Sequence, residues 1–298
     1  MLLLFLCHNI NLSLQMPGGK MARKSILITG CSSGIGHETA INLHKRGWLV
    51  IASCRKQHDC DALTTQHGLY SVLIDYEQPE TIKTGLARAL QITDGHLDVL
   101  FNNGAYAIPA AVEDLPTDAL RAIFEANFFG WHTLTRAVIP IMRKQKSGRI
   151  IQNSSVLGFA AMRFRGAYNA TKFALEGLTD TLRLELHGSG IKIILIEPGP
   201  IRTRIRENAY IHFQRWIKWE GTALETIYRK GLIPRLSAID PPKDKFELQA
   251  DAVTKAVVHA AESKRPKLRY RVTLATSLMM IAKRILSSRA LDALARRI

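Results

Sequence analysis

Six short apolar runs recur along the chain: 25–30 (SILITG), 49–54 (LVIASC), 70–75 (YSVLID), 97–103 (LDVLFNN), 148–155 (GRIIQNSS) and 191–199 (IKIILIEPG). Nearly continuous apolarity, without strict alternation, predicts strands covered on both faces. Between them, apolar residues return at helical spacing over 36–47, 79–92, 117–144 and 168–187. Strands alternating with helices predict a parallel α/β sheet with right-handed crossovers and helices on both faces, a doubly wound arrangement. No internal repeat and no low-complexity linker interrupts it, so one domain is expected over 25–262.

The pattern degrades at two places. Residues 202–248 mix arginines, Trp216, Trp219 and a DPPKDK stretch without clear period. Ligands of open α/β sheets lie beyond the carboxyl ends of the strands. An irregular insertion after the last long strand is therefore placed to cover a substrate; the plain alternative is a surface loop with short helices. Residues 263–298 read as a basic amphipathic segment, apolar over 275–282 and then helix-spaced at Ile285, Leu286, Leu291 and Leu294. At the start, Leu2–Leu6 is too short to span a bilayer and lacks the flanks of a signal peptide. Residues 1–24 are therefore expected to be a disordered or artefactual extension, with Met16 and Met21 as alternative starts.

Composition changes this picture little, and charge changes it more. A hydrophobic share of 47% suffices for a full core. Cys7, Cys31, Cys54 and Cys60 show no C-x-x-C spacing, which points to reduced thiols in a cytoplasmic protein and to no metal site. The net charge is +16, and 263–298 holds ten basic residues against the single acid Asp292. Such a segment can meet an anionic membrane surface peripherally, dock on the domain or a second subunit, or form a solvated face. Nucleic acid has only the charge in its favour, since no recognition motif accompanies it.

Candidate chemistry begins at ITGCSSGIGHE, where Gly30, Gly34 and Gly36 stand at a strand-to-helix junction. Glycines there permit a sharp turn and close approach of backbone to a pyrophosphate, which then meets the helix N-terminus. This makes the domain Rossmann-type. The second strand ends in ASCRKQ, where a carboxylate for a ribose 2′-hydroxyl would stand in an NAD site. Cys54 occupies that place and Arg55 and Lys56 follow, which favours NADP(H), with NAD(H) as the alternative. Farther on, Tyr168 and Lys172 are four residues apart, hence neighbours on a helix face. An adjacent ammonium favours a phenolate, making Tyr168 a usable acid or base. By chance alone such a pair arises in roughly one of every two or three chains of this length.

Taken in order, TGCSSGIG at 29–36, NNGA at 102–105, Asn127 in EANFFG, NSS at 153–155, YNATK at 168–172 and EPGPIRT at 197–203 resemble the short-chain dehydrogenases/reductases over about 25–205. The likeness is greatest to the hydroxysteroid and retinol dehydrogenase branch and to bacterial aldehyde or ketone reductases. It implies Tyr168 as acid/base, Lys172 as the group that lowers its pKa and holds the nicotinamide ribose, and Ser155 as hydrogen-bond partner of the substrate oxygen. It implies Asn127 as organiser of a proton-relay water. For the cofactor it implies Gly30, Ser32, Ser33, Gly34, Ile35 and Gly36 at the pyrophosphate, and Asp75 at the adenine. Asn102 and Gly104 fall beside the adenosine, and Pro198, Gly199, Ile201 and Thr203 at the carboxamide. The family's usual N-N-A-G stands here as NNGA, so the backbone before Tyr106 is expected to turn one residue early.

The function implied is hydride transfer between NADP(H) and a hydrophobic aldehyde, ketone or alcohol, by a homodimer or homotetramer. Phe159, Ala160, Met162 and Phe164, between the serine and the tyrosine, would line an apolar pocket or simply pack. Arg163 and Arg165 could face solvent or an acidic substrate end. A cofactor sensor or scaffold without catalysis is the alternative class, which the presence of tyrosine, lysine and serine together disfavours.

Overall fold

The computed structural model describes residues 23–239 and 242–296. Its centre is a seven-stranded, all-parallel sheet in the order β3-β2-β1-β4-β5-β6-β9. The strands are β1 (Ser25–Ile28), β2 (Leu49–Cys54), β3 (Tyr70–Leu73), β4 (Val99–Asn102), β5 (Gly148–Asn153), β6 (Ile191–Glu197) and β9 (Arg269–Arg271); a separate short pair joins β7 (Ile201–Arg202) to β8 (Leu248–Gln249). Chain order runs outward from β1 in both directions, so the strand order reverses between β1 and β4. A doubly wound sheet opens its ligand crevice at such a reversal.

The helices are α1 (Gly34–Lys45), α2 (Gln57–His67), α3 (Pro79–Ile92), α4 (Thr117–Phe124), α5 (Gly130–Gln145), α6 (Gly166–Glu185), α7 (Ile205–Trp216), α8 (Glu225–Ile227), α9 (Ile233–Ser237), α10 (Ala250–Glu262), α11 (Leu274–Ile285) and α12 (Ser288–Ala295). Because the central strands are buried on both faces, two cores form. On one face Ile26, Ile28 and Val50 pack with Val253 and Val257 of α10. On the other, Leu27, Ile51 and Leu100 pack with Trp131, Leu134 and Val138 of α5 and Leu175 of α6.

Three features depart from the sequence reading. Helices α2 and α10 stand where no helix is expected; α2 is mostly polar and buries only Cys60 and Leu63, too few positions to show a period. The expected helix over 117–144 is interrupted by a wide π-type turn, Glu125–Phe129, which carries Asn127. Strand β9 lies inside 263–298, the segment set apart above as an amphipathic tail. Leu195, Ile196 and Glu197 pair with Arg269, Tyr270 and Arg271, so the sheet continues past 262 and only α11 and α12 lie beyond it. The segment 1–24, expected to be an extension and including Cys7, Met16 and Met21, lies almost wholly outside the described residues.

The segment 202–248 folds into α7, α8, a π-type turn (Tyr228–Leu232) and α9, and packs Phe213, Tyr228 and Leu236 into one core with Tyr106, Ile108, Ile123 and Tyr168 of the body. Pairing of Ile201 with Leu248 and of Arg202 with Gln249 clamps its two ends together.

Candidate active site

A cleft of about 1330 Å³ opens at the carboxyl ends of β1, β4, β5 and β6. At one end the chain leaves β1 through Gly30 and Gly34, both at positive φ (68° and 62°). A Cβ on Gly30 would stand 2.5 Å from the Cα of Gly104, and one on Gly36 would stand 2.3 Å from the Gly30 carbonyl oxygen. The turn thus needs glycine for conformation and for contact. Thr29 anchors it from behind. Its hydroxyl oxygen accepts from the amides of Asn103 (2.9 Å) and Gly104 (3.2 Å) and lies 2.8 Å from the Tyr76 hydroxyl, whose proton goes to the Asn102 amide oxygen. Gly104 lies in the tight place opposite Gly30, where the exchanged N-N-G-A order puts the smaller residue, and its carbonyl accepts the Trp131 indole N–H at 2.8 Å.

At the other end, α6 presents Tyr168, Lys172 and Glu176 on one face, as spacing by four dictates. Tyr168 is buried beside Ser155, which caps the short 3-10 turn Val156–Gly158 and accepts the Leu157 amide at 3.1 Å. Lys172 is 1% exposed. Its Nζ donates to the Asn153 carbonyl oxygen at 2.8 Å and lies 4.3 Å from the Trp131 ring centre and 5.5 Å from that of Tyr168. An ammonium carries three donors, so a buried lysine with one such bond has others to offer the cleft. Ribose hydroxyls are the acceptors this suits. Together with the glycine turn, it makes the residues present fit a nicotinamide dinucleotide.

Electrostatics differ from the sequence expectation in one respect. Burial pushes the Tyr168 phenol well above 10, and only the neighbouring Ser155 hydroxyl opposes it. Lys172 does not bring it down, because burial pulls that ammonium from 10.5 to about 7, with Glu176 pulling the other way. Two desolvated groups side by side each favour the neutral form. Tyr168 therefore holds its proton.

Behind Lys172, Glu176 faces Ser154 and Arg269. The Arg269 guanidinium also meets Glu197 at 2.5 Å and Asp180 at 2.6 Å. Strand β9 is thereby tied to the helix that carries the tyrosine.

The cleft is lined by Gly30, Ser32, Ser33, Gly34, Ile35, Arg55, Asp75, Gly104, Ser155, Tyr168, Lys172, Pro198, Gly199, Ile201 and Thr203, which brings most of the sequence candidates together. Four candidates stand elsewhere. Gly36 supports the turn from within α1. Lys56 is exposed at the N-cap of α2, outside the lining. Asn102 is fully buried, bonded to Tyr76, Thr135 and Gln152, and it is Asn103 that reaches the cleft. Asn127 is fully buried too: its amide takes the Tyr106 backbone N–H (3.1 Å) and donates to that residue's carbonyl (2.8 Å) and to Thr171 (3.4 Å).

Of the expected apolar lining, Met162 is in the cleft; Phe159 and Ala160 are buried outside it, and Phe164 packs edge-on to Tyr228. Sequence reasoning missed Thr29, Asn153 and Trp131. The first two sit inside motifs already singled out, whereas Trp131, in mid-helix, has no local signal. Glu176 was legible as the next step of four after Lys172.

The family model for short chain dehydrogenases matches residues 24–212. An uncharacterised oxidoreductase of Escherichia coli K12, YbbO, is 39% identical over 92% of this chain and 94% of its own. Human retinol dehydrogenase 8 is 32% identical over 91% of this chain and 88% of its own. Among solved structures, a short-chain dehydrogenase from Streptomyces avermitilis superposes with a TM-score of 0.73 at 27% identity, covering 92% of this chain and 95% of that one. With the glycine turn, the tyrosine and the buried lysine converging on one cleft, these likenesses make the chain a member of the short-chain dehydrogenase/reductase family, an NAD(P)-dependent oxidoreductase.

Proposed function

We propose that this protein reduces hydrophobic aldehydes or ketones with NADPH, and oxidises the corresponding alcohols in reverse, with Tyr168 as proton donor. The observation that carries this reading is the meeting of the buried Tyr168 phenol, Ser155 and Lys172 at the wall of an otherwise largely apolar cleft. A bound nicotinamide supplies the hydride chemistry. The chain's own residues supply position and charge. Ser155 and Tyr168 offer two hydroxyls to one carbonyl oxygen, where negative charge develops during reduction. Tyr168 gives that oxygen its proton. Lys172, fixed by Asn153, presents its remaining donors beside the tyrosine. Asn127 shapes the wall by holding Tyr106. Its side chain is occupied there, so a proton path at Asn127 has only the loosened backbone of the π-type turn to use.

Arg55 supports a preference for NADP(H), since it lines the cleft beyond β2 where a 2′-phosphate would be received; Lys56 contributes no lining. Peripheral contact with anionic lipid through α11 and α12, a cytoplasmic setting for the buried thiols Cys31, Cys54 and Cys60, and a homodimer or homotetramer complete the reading. The oligomer rests on the family resemblance alone.

The test is oxidation of NADPH, with NADH in parallel, against a panel of apolar aldehydes and ketones, for the wild type and for Tyr168→Phe. The wild type is expected to turn over at least one carbonyl with NADPH preferred, and the variant to lose about 10²–10⁴-fold in kcat. Cofactor binding without turnover of any carbonyl by the wild type would speak for the sensor alternative.

A further inference from the structure

Arg163 and Arg165, alike in sequence, are separated by the fold. Arg163 is exposed, with its guanidinium 5.4 Å from the Phe164 ring. Arg165 is the N-cap residue of α6, three positions before Tyr168, and lines the cleft. Its side chain donates to the Phe164 carbonyl at 3.2 Å and meets no carboxylate among the described residues. Two more arginines of the covering segment, Arg206 and Arg235, line the same region, and Asp244 lies between them at 2.8 and 3.1 Å. Asp244 is thus occupied by two guanidinium groups and reaches Arg165 only from a distance, while the neighbouring Glu247 pairs with Arg202. Burial pulls Arg165 down to about 10, and Arg235 and Arg206 act in the same direction. Within a single chain, such a desolvated cation is costly unless something pairs with it. What the corner lacks is one anion.

Apolar residues also line the cleft: Leu157 and Met162 from the body, Leu236 from α9, Leu278 and Met279 from α11. An amphiphile would fit there with its apolar body along these residues.

We propose that Arg165, with Arg206 and Arg235, receives a carboxylate of the substrate, so that the carbonyl compounds reduced at Tyr168 are apolar oxo acids. A planar guanidinium pairs with a carboxylate through two parallel hydrogen bonds, which also fixes how far the chain extends toward Ser155 and Tyr168. This inference rests on the carbonyl-reductase reading above and narrows it.

The experiment compares a long-chain ω-oxo carboxylate with its methyl ester, equal in length and differing in the terminal charge. For the wild type kcat/KM is expected to favour the acid. In Arg165→Gln the acid-to-ester ratio should fall by about 10- to 100-fold, the usual worth of a hydrogen bond to a charged group, and Arg165→Lys should restore part of it. An unchanged ratio in Arg165→Gln overturns the proposal while leaving carbonyl reduction standing. So does a weaker affinity for NADPH with the ratio intact, which would give the arginines to the cofactor.

A calorimetric arm needs no turnover: decanoate should bind the NADP+-loaded wild type, decanol should bind more weakly, and Arg165→Gln should erase the difference. Equal binding of acid and alcohol overturns the anion site. Preference for decanoate without turnover of any carbonyl would keep the site and remove the reductase reading.

Discussion

Lys172 carries its charge at a cost that depends on pH. Its pKa is 10.5 in an open chain and about 7 in the fold, because burial outweighs the attraction of Glu176. Between those values the unfolded chain binds a proton that the folded one has released, so this residue makes stability rise with pH across about 7 to 10.5. Below 7 both states are charged and the full penalty applies; above 10.5 both are neutral and it vanishes. Lys172→Met should therefore unfold at a higher temperature than the wild type at pH 6, with the gap closing toward pH 10. The buried Cys54 and Cys60, shifted in opposite directions by each other, are the same in both proteins, so the difference between the two melting curves isolates the lysine. A gap constant with pH would mean that Lys172 is charged throughout. Measuring the cofactor-free protein keeps the ribose, which would favour the charged form, out of the comparison.

At the scale of elements, the tyrosine helix depends on a strand that the sequence hides. Arg269 of β9 holds Glu176 and Asp180 of α6 and Glu197 of β6, and Glu197 is fully buried. Glu197 also has Arg271 at 3.3 Å, so removing Arg269 strands mainly the nearly buried Glu176, and breaking a buried pair in this way typically costs about 3–5 kcal/mol. Arg269→Met is expected to show that loss in urea unfolding, whereas a loss under about 1 kcal/mol, the range of surface pairs, would mean that the carboxylates are solvated.

Legibility follows the same physics. The long buried strands and the motifs at their ends stand out because continuous apolarity and fixed spacing are local signals. Strand β9 does not: of Arg269, Tyr270 and Arg271, one residue is buried and the arginines pair with distant acids, so three residues look like a charged tail. The wide turn at Asn127 is invisible for a related reason, since α4 and α5 keep one apolar face through it. In the site, the glycine turn, Ser155, Tyr168 and Lys172 could be read directly. Whether Asn102 or Asn103 reaches the cleft could not, because alternation along β4 decides it and the strand's end has to be known first. Arg165 and Arg163 differ in the same way, by which side of a turn each leaves.

For the molecule as a whole, the excess of positive charge becomes specific at the end of the sheet. Helix α11 leaves Leu274, Leu278, Ile281 and Ile285 exposed, from 49% to 75%, at spacings of four, three and four that make one stripe. Arg284, Arg289 and Arg296 are exposed in and beyond it. Lys283 instead pins the helix to the body, its Nζ donating to the Phe159 carbonyl at 2.6 Å. No helix among the described residues is long and apolar enough to cross a membrane. Leu278 belongs both to the stripe and to the cleft lining, which would put the mouth of the cleft near a lipid surface and shorten the path of an apolar substrate. Basic residues near an anionic surface contribute about 1 kcal/mol each, and three of them amount to roughly a hundredfold in partitioning. Vesicles containing phosphatidylserine should therefore sediment the protein at 50 mM salt and release it at 500 mM, where the Debye length falls to about 4 Å. Arg284→Gln with Arg289→Gln should lower the bound fraction, and phosphatidylcholine alone should bind weakly. If no sedimentation occurs at low salt, the stripe is covered by protein instead, and the same sample in the ultracentrifuge should then sediment as a dimer or larger.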